Sequence, residues 1–255
     1  MTNANAASPL PVTDNAFFGH PVGLFVCFAT EMWERFSFYG MKFLLLLYLT
    51  KYHLFSDSNG LEVLGSYAAL VYAMPVIGGL LADRYLGMRK AVIFGGVLLV
   101  LGHLGMAMEG EQARVVGDQV IRDEGSLQVF YLSLALIVIG VGFLKPNIST
   151  IVGKLYAQDD PRRDAGFTIF YMGINMGAFA ATLLCGYLGE TFGWRYGFGV
   201  AGIGMAIGLA TFLLGQKHLH GLAEPHHSAT LKQKSPIGLN KEWTRLLYSS
   251  PSPPA

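Results

Sequence analysis

Three ionisable residues within five positions, Glu31, Glu34 and Arg35, sit inside an otherwise apolar run covering roughly residues 21–49. At a rise of about 1.5 Å per residue, that run can cross a hydrocarbon layer of about 30 Å as one helix. The spacing i, i+3, i+4 places the three on one helical face, and Phe38, Tyr39 and Lys42 continue the same stripe. Ionised groups at bilayer depth are costly, so this face must look onto protein or trapped water, not lipid. A surface helix with a solvated charged side would need polar flanks, and residues 22–29 and 43–49 offer no polar face. The helix is therefore expected to line a polar path through a membrane.

The rest of the chain fits that expectation. Of 255 residues, 52% are hydrophobic and only 14% charged, and 32 are glycine, a balance typical of several helices crossing a bilayer in close contact. Further apolar runs cover roughly residues 61–81, 91–108, 129–152, 166–188 and 196–214. The second is expected to break at Pro75 and close at Asp83-Arg84, and residues 109–128 read as a loop with five acids and two arginines. The fold class expected is all-α: six transmembrane helices in residues 20–215, preceded by a lead (1–19) and followed by a polar tail (216–255). The lead carries only Asp14 in its first 16 residues and lacks the apolar core of a signal peptide. Cys27 and Cys185 fall in apolar helices, where burial as small hydrophobes is expected and no disulfide. A net charge of +1 argues against nucleic acid as a partner.

Basic residues set the expected orientation. One set of loops and the tail hold Arg84, Arg89, Lys90, Lys154, Arg162, Arg163, Lys217, Lys232, Lys234, Lys241 and Arg245. The opposite loops hold Lys51, Arg114, Arg122 and Arg195, leaving Arg35, Lys42 and Lys145 at membrane depth. Both termini are therefore expected on the cytoplasmic side.

Lys145 lies mid-run in the fourth span and is expected to pair with a carboxylate of the first, closing a near-balanced network of Glu31, Glu34, Arg35, Lys42 and Lys145. A change of partner in such a network loads or releases a proton, the physical requirement of a proton-coupled carrier. Asn175, within Gly173-Ile174-Asn175-Met176-Gly177, reads equally as an amide bonding a neighbouring helix beside a glycine seam and as a partner for a peptide backbone. Tyr72, from spacing alone, reads as packing. The histidines form no metal-ligand pattern: His218, His220, His226 and His227 are in the tail and His103 is alone. Without a nucleophile or metal set at a recognisable spacing, an intramembrane enzyme is not expected.

Four segments together resemble one family. Glu31-x-x-Glu34-Arg35-Phe36-x-Phe38-Tyr39 resembles the Glu-x-x-Glu-Arg-Phe-x-Tyr-Tyr motif of the proton-dependent oligopeptide transporters, a branch of the major facilitator superfamily. Gly78-Gly79-Leu80-Leu81-Ala82-Asp83-Arg84-Tyr85-Leu86-Gly87 is similar to the family's signature at the end of its second helix and to the superfamily's cytoplasmic gate loop. Phe167-x-x-Phe170-Tyr171-Met172-x-Ile174-Asn175-Met176-Gly177-Ala178-Phe179 resembles its second signature, and Gly142-Phe143-Leu144-Lys145-Pro146 its lysine segment. The resemblance implies proton coupling at Glu31 and Glu34, with protons as coupling ion and no other cofactor or metal. It implies that Arg35 and Lys145 bind a peptide carboxylate, that Tyr39, Tyr72 and Asn175 line a di/tripeptide site, and that Lys42, Asp83 and Arg84 act in gating. Phe38 departs from the motif by lacking a hydroxyl, and Gly65 stands where animal relatives carry a histidine.

The family fold has two six-helix halves with substrate between them, and this chain supplies one. It is thus expected to be the N-terminal half of an inner-membrane di/tripeptide symporter, with the bilayer and a second half as partners. Asn240-Lys241-Glu242-Trp243-Thr244-Arg245 resembles the approach to a seventh helix, and truncation before that helix is the expectation. The alternatives are a non-transporting six-helix remnant and a major facilitator carrier of another small solute.

Overall fold

The structure, a computed structural model, describes residues 16–219 and 221–223. The expectations for residues 1–15, for His220, and for the tail from 224 onward (His226, His227 and the segment before a seventh helix) lie outside the described residues. Six helices account for most of the rest: α1 (Val22–Leu47), α2 (Asp57–Leu81), α3 (Met88–Met106), α4 (Glu124–Lys154), α5 (Arg163–Phe192) and α6 (Trp194–Gly215). Among the described residues, five are long and apolar enough to span a membrane by length and composition. The sixth, α1, has 26 residues but carries Glu31, Glu34, Arg35 and Lys42. The six-helix, all-α reading holds.

Local chemistry sets the ends. Ser56 caps α2 by accepting from the Asn59 N–H at 3.2 Å, and Asp123 caps α4 through Ser126 at 3.2 Å. Gly193, at φ +124°, turns the chain from α5 directly into α6. Two stretches differ from expectation. Pro75 does not break α2, which runs through it as α4 runs through Pro146. Residues 109–128 are not all loop, because β3 (Arg114–Val116) and β4 (Gln119–Ile121) pair as a hairpin about Gly117 and α4 already begins at Glu124. A second ribbon, β1 (Ala16–Phe17) with β2 (His20–Pro21), precedes α1.

The helices pair by an internal rule. α1 packs on α5 and α6, α4 packs on α2 and α3, and α3 meets α6. Exchanging α1 with α4, α2 with α5 and α3 with α6 maps these five pairings onto themselves, while the α5–α6 packing has no comparable α2–α3 counterpart. Two helices lie between the members of each equivalent pair, so they run in opposite directions, the signature of an inverted repeat. α2 and α5 are the least buried helices and lie at opposite sides. Each leans on its partner through a glycine. A Cβ at Gly177 of α5 would collide with the Met32 carbonyl of α1. One at Gly78 of α2 would collide with the Gly142 carbonyl of α4, which Pro146 deprives of its helical donor.

The loops sort onto two ends. At one, Arg122 of the α3–α4 hairpin loop donates to the His53 and Leu54 carbonyls at 2.7 and 2.9 Å, and Lys51 meets Glu190 of α5 at 3.4 Å. At the other, His20 and the Tyr156 hydroxyl hydrogen-bond at 2.8 Å, and Arg162 donates to the Gly19 carbonyl. There the Ala223 carbonyl accepts from the Arg89 N–H at 3.0 Å. The start of the tail is therefore not a purely polar extension: Leu219 and Ala223 are buried.

Candidate functional site

The charged stripe of α1 turns inward at mid-helix. Glu31, Glu34 and Arg35 are 1%, 0% and 3% exposed, so the bundle removes all three from lipid. The Arg35 guanidinium forks onto Glu34: Nε donates to Oε2, and Nη2 donates to Oε1 at 2.6 Å. Its Nε also lies 3.3 Å from Glu31 Oε1, while Glu31 Oε2 is buried without a hydrogen bond. Phe38 supports the guanidinium from below, its ring centroid 4.8 Å from Cζ, with the Tyr39 ring at 6.0 Å. One arginine thus serves two carboxylates on its own helix.

Lys145 does not join this cluster directly. Among the described residues it forms no ion pair; its Nζ stands 6.0 Å from the Tyr72 ring centroid, close enough to Glu31 for a longer-range electrostatic interaction. The direct lysine–carboxylate pair expected from the sequence is corrected accordingly: Arg35, adjacent in the chain, occupies Glu34 with both prongs. Tyr72 is 73% exposed, which overturns the packing reading. Asn175 is also exposed and donates to the Tyr171 carbonyl of its own helix at 3.1 Å, so it ties no neighbouring helix; Gly173 and Gly177 form that seam against α1.

Of the remaining positions, Tyr39 and Lys42 are half-buried on α1, and Lys42 has no ion-pair partner among the described residues. Asp83 and Arg84 are exposed on the π-helical turn Ala82–Leu86 that ends α2. Cys27 and Cys185 are buried free thiols, as expected. Spacing gave no sign of Tyr67. This α2 residue is 3% exposed, stacks on Phe38 and places an unpartnered hydroxyl beside the cluster. Its neighbourhood depends on where α2 crosses α1, which local sequence does not set. Two surface cavities lie elsewhere: one of about 500 Å³ in the α3–α4 loop between Glu111 and Gly125, and an apolar groove of about 390 Å³ bordered by Trp33, Met176 and Ile203.

A sequence model described as the POT family matches residues 89–235. The chain belongs to the POT family. Curated relatives include an uncharacterized transporter, YclF, of Bacillus subtilis (43% identical over 232 residues; 89% of this chain, 44% of the relative). The peptide transporter YePEPT of Yersinia enterocolitica is 41% identical over 235 residues (90% and 41%), and the di-/tripeptide transporter of Lactococcus lactis 40% over 213 (80% and 39%). A crystal structure of a peptide transporter POT in complex with sulfate superposes with a TM-score of 0.76 at 40% identity, covering 94% of this chain and 46% of that one. A POT family transporter in complex with 5-aminolevulinic acid gives the same score at 32% identity (92% and 46%).

The chain thus spans less than half the length of these POT relatives, the share that one six-helix half of a major facilitator fold occupies. The family named by the four motifs is the family the comparisons find. Within that frame the sites divide into two groups: a sealed cluster on α1, and the exposed Tyr72 and Asn175 of α2 and α5 with the half-buried Lys145 of α4.

Proposed function

We propose that this chain is the N-terminal half of a carrier that moves di- and tripeptides across the inner membrane together with protons. The observation that carries the reading is the buried Glu31–Arg35–Glu34 cluster at the middle of a spanning helix. Buried charge of this kind is tolerable while paired and changes protonation when a partner leaves. A peptide carboxylate entering from the open side competes for Arg35, with Lys145 as its second cation. Freed of Arg35, the glutamates favour the protonated form, so binding of substrate and of proton are coupled. Tyr39, Tyr72 and Asn175 supply hydroxyl and amide groups for the peptide backbone. Lys42 serves the outer gate, and Asp83 with Arg84 the cytoplasmic one. Protons are the coupling ion, and no other cofactor enters.

The printed names of the Yersinia and Lactococcus relatives support the substrate class. The count of basic residues supports an orientation with both ends cytoplasmic. The second half supplies the opposite wall. In a carrier completed with that half, Glu34→Gln abolishes proton-driven accumulation in proteoliposomes while dipeptide counterflow survives, since exchange returns a loaded carrier without releasing a proton. Full proton-driven uptake by Glu34→Gln would remove Glu34 from the mechanism.

A further inference from the structure

α2 carries two tyrosines five residues apart, and the helix sends them in different directions: Tyr72 onto the open face and Tyr67 into the bundle. Tyr67 is 3% exposed and its hydroxyl has no hydrogen-bond partner. An orphaned buried hydroxyl is unfavourable unless another state of the protein uses it. Its ring stacks on Phe38 with centroids 6.3 Å apart and planes 27° apart, and Phe38 in turn underlies the Arg35 guanidinium. The same aromatic ring therefore fixes Tyr67 and Arg35 relative to one another. The hydroxyl lies within electrostatic reach of both Glu34 and Arg35. These two are the charged groups that act on it; Arg35 also reaches Glu31, on which Lys145 of α4 acts in turn.

We propose that Tyr67 is a positioning residue for coupling, its hydroxyl donating to the Glu34 carboxylate when Arg35 turns to the substrate. The proposal rests on the carrier reading above. In the present arrangement both oxygens of Glu34 are held by Arg35. Arg35 cannot reach a peptide carboxylate without releasing at least one of them, and a fully buried carboxylate left bare is strongly disfavoured. A phenol is both donor and acceptor, and it needs only to rotate its hydroxyl to serve. Tyr67 thereby lowers the barrier to the partner exchange without touching the peptide. Without it, Arg35 leaves only after Glu34 has taken a proton.

The test is Tyr67→Phe in the carrier completed with its second half, reconstituted in proteoliposomes. The substitution keeps the ring and the stack on Phe38 and removes one oxygen. The expected result is a maximal proton-driven uptake rate lower by about tenfold, the loss that one hydrogen bond to a charged group gives. The dipeptide KM stays close to that of the unsubstituted carrier, and the pH optimum moves to more acid values because Glu34 must now be protonated first. The unfolding temperature stays level or rises, since a buried unsatisfied hydroxyl has gone. Unchanged rate and pH optimum would overturn the role of Tyr67 alone, and a fall in rate paralleled by a fall in unfolding temperature would make it structural. No proton-driven uptake by the unsubstituted carrier would overturn the carrier reading and the role of Tyr67 with it.

Discussion

The polar residues of this bundle occupy two opposite environments. On α1, Glu31, Glu34 and Arg35 are sealed and bonded to one another. On α2, α4 and α5, Tyr72 and Asn175 are exposed, and Lys145 is half-buried without an ion pair. The sealed group is paired within one helix, with only Glu31 Oε2 left without a hydrogen bond, and the six helices suffice to bury it. The open group has backbone and ring contacts but no partner across a gap, as one wall of a site would have. The sealed residues should therefore weigh more on stability than the open ones, and substitutions should separate the two groups.

Removing the hub of the sealed group gives the largest effect. Arg35→Ala leaves two buried carboxylates uncompensated and is expected to cost about 3–5 kcal/mol of stability. On the open face, Lys145→Ala, Tyr72→Phe and Asn175→Ala are expected to stay within about 0.5 kcal/mol. Thermal unfolding of the purified chain in detergent measures both sets, and a Lys145→Ala loss comparable to that of Arg35→Ala would erase the distinction. A second contrast concerns the seams beneath the open face. Gly177→Ala drives a methyl group into the Met32 carbonyl and should cost about 1–3 kcal/mol. Gly199→Ala meets nothing within 4 Å and should stabilise α6 by about 0.5–1 kcal/mol. Equal effects at the two positions would mean that α5 does not approach α1 as described.

Much of the sealed group was legible in the sequence, because i, i+3, i+4 spacing fixes which residues share a helical face whatever the tertiary structure. Five of the spans were legible from apolar length alone, and α1 from the apolar flanks on either side of its charges. Lys145 was misplaced because its partner depends on the distance between α4 and α1, which spacing within either helix does not encode. Tyr72 and Tyr67 show the same limit. Both lie in one apolar stretch of α2, and only the crossing with α1 decides that Tyr67 is inside and Tyr72 outside. Pro75 misled for a local reason: a proline costs a helix one hydrogen bond without ending it when the surrounding bundle holds the turn, and α2 runs through it.

The distinction between sealed and open extends to the loop end near His53. That ring is fully buried against Tyr48 (4.7 Å), Tyr52 (5.3 Å) and Phe130 (5.9 Å), and burial, followed by the Arg122 charge, lowers its pKa. The folded protein thus favours the neutral imidazole. Its contribution to stability is complete above the unfolded value of about 6.5 and declines as pH falls toward the lowered folded value. Unfolding temperature should therefore drop between neutral and mildly acid pH, and His53→Phe should flatten that part of the profile; an unaltered profile would exclude His53 as its source. The smallest effect belongs to the open counterpart, Lys51 with Glu190, whose side chains are 57% and 42% exposed. A double-mutant cycle should give about 0–1 kcal/mol, falling toward zero in high salt.

If the α1 cluster is one sealed part of a site whose other wall is absent from these six helices, the chain alone has little to bind with. Arg35 is occupied by its glutamates, and charges on the open face are screened by water, where an ion pair is worth about 1 kcal/mol or less. Calorimetric titration of purified residues 1–255 with a dipeptide tests this most directly. The expected result is binding no tighter than about millimolar, equivalent to about −4 kcal/mol, with tighter binding once a second half is present. Saturable binding near micromolar by these residues alone would contradict it, because six helices would then already enclose a complete site.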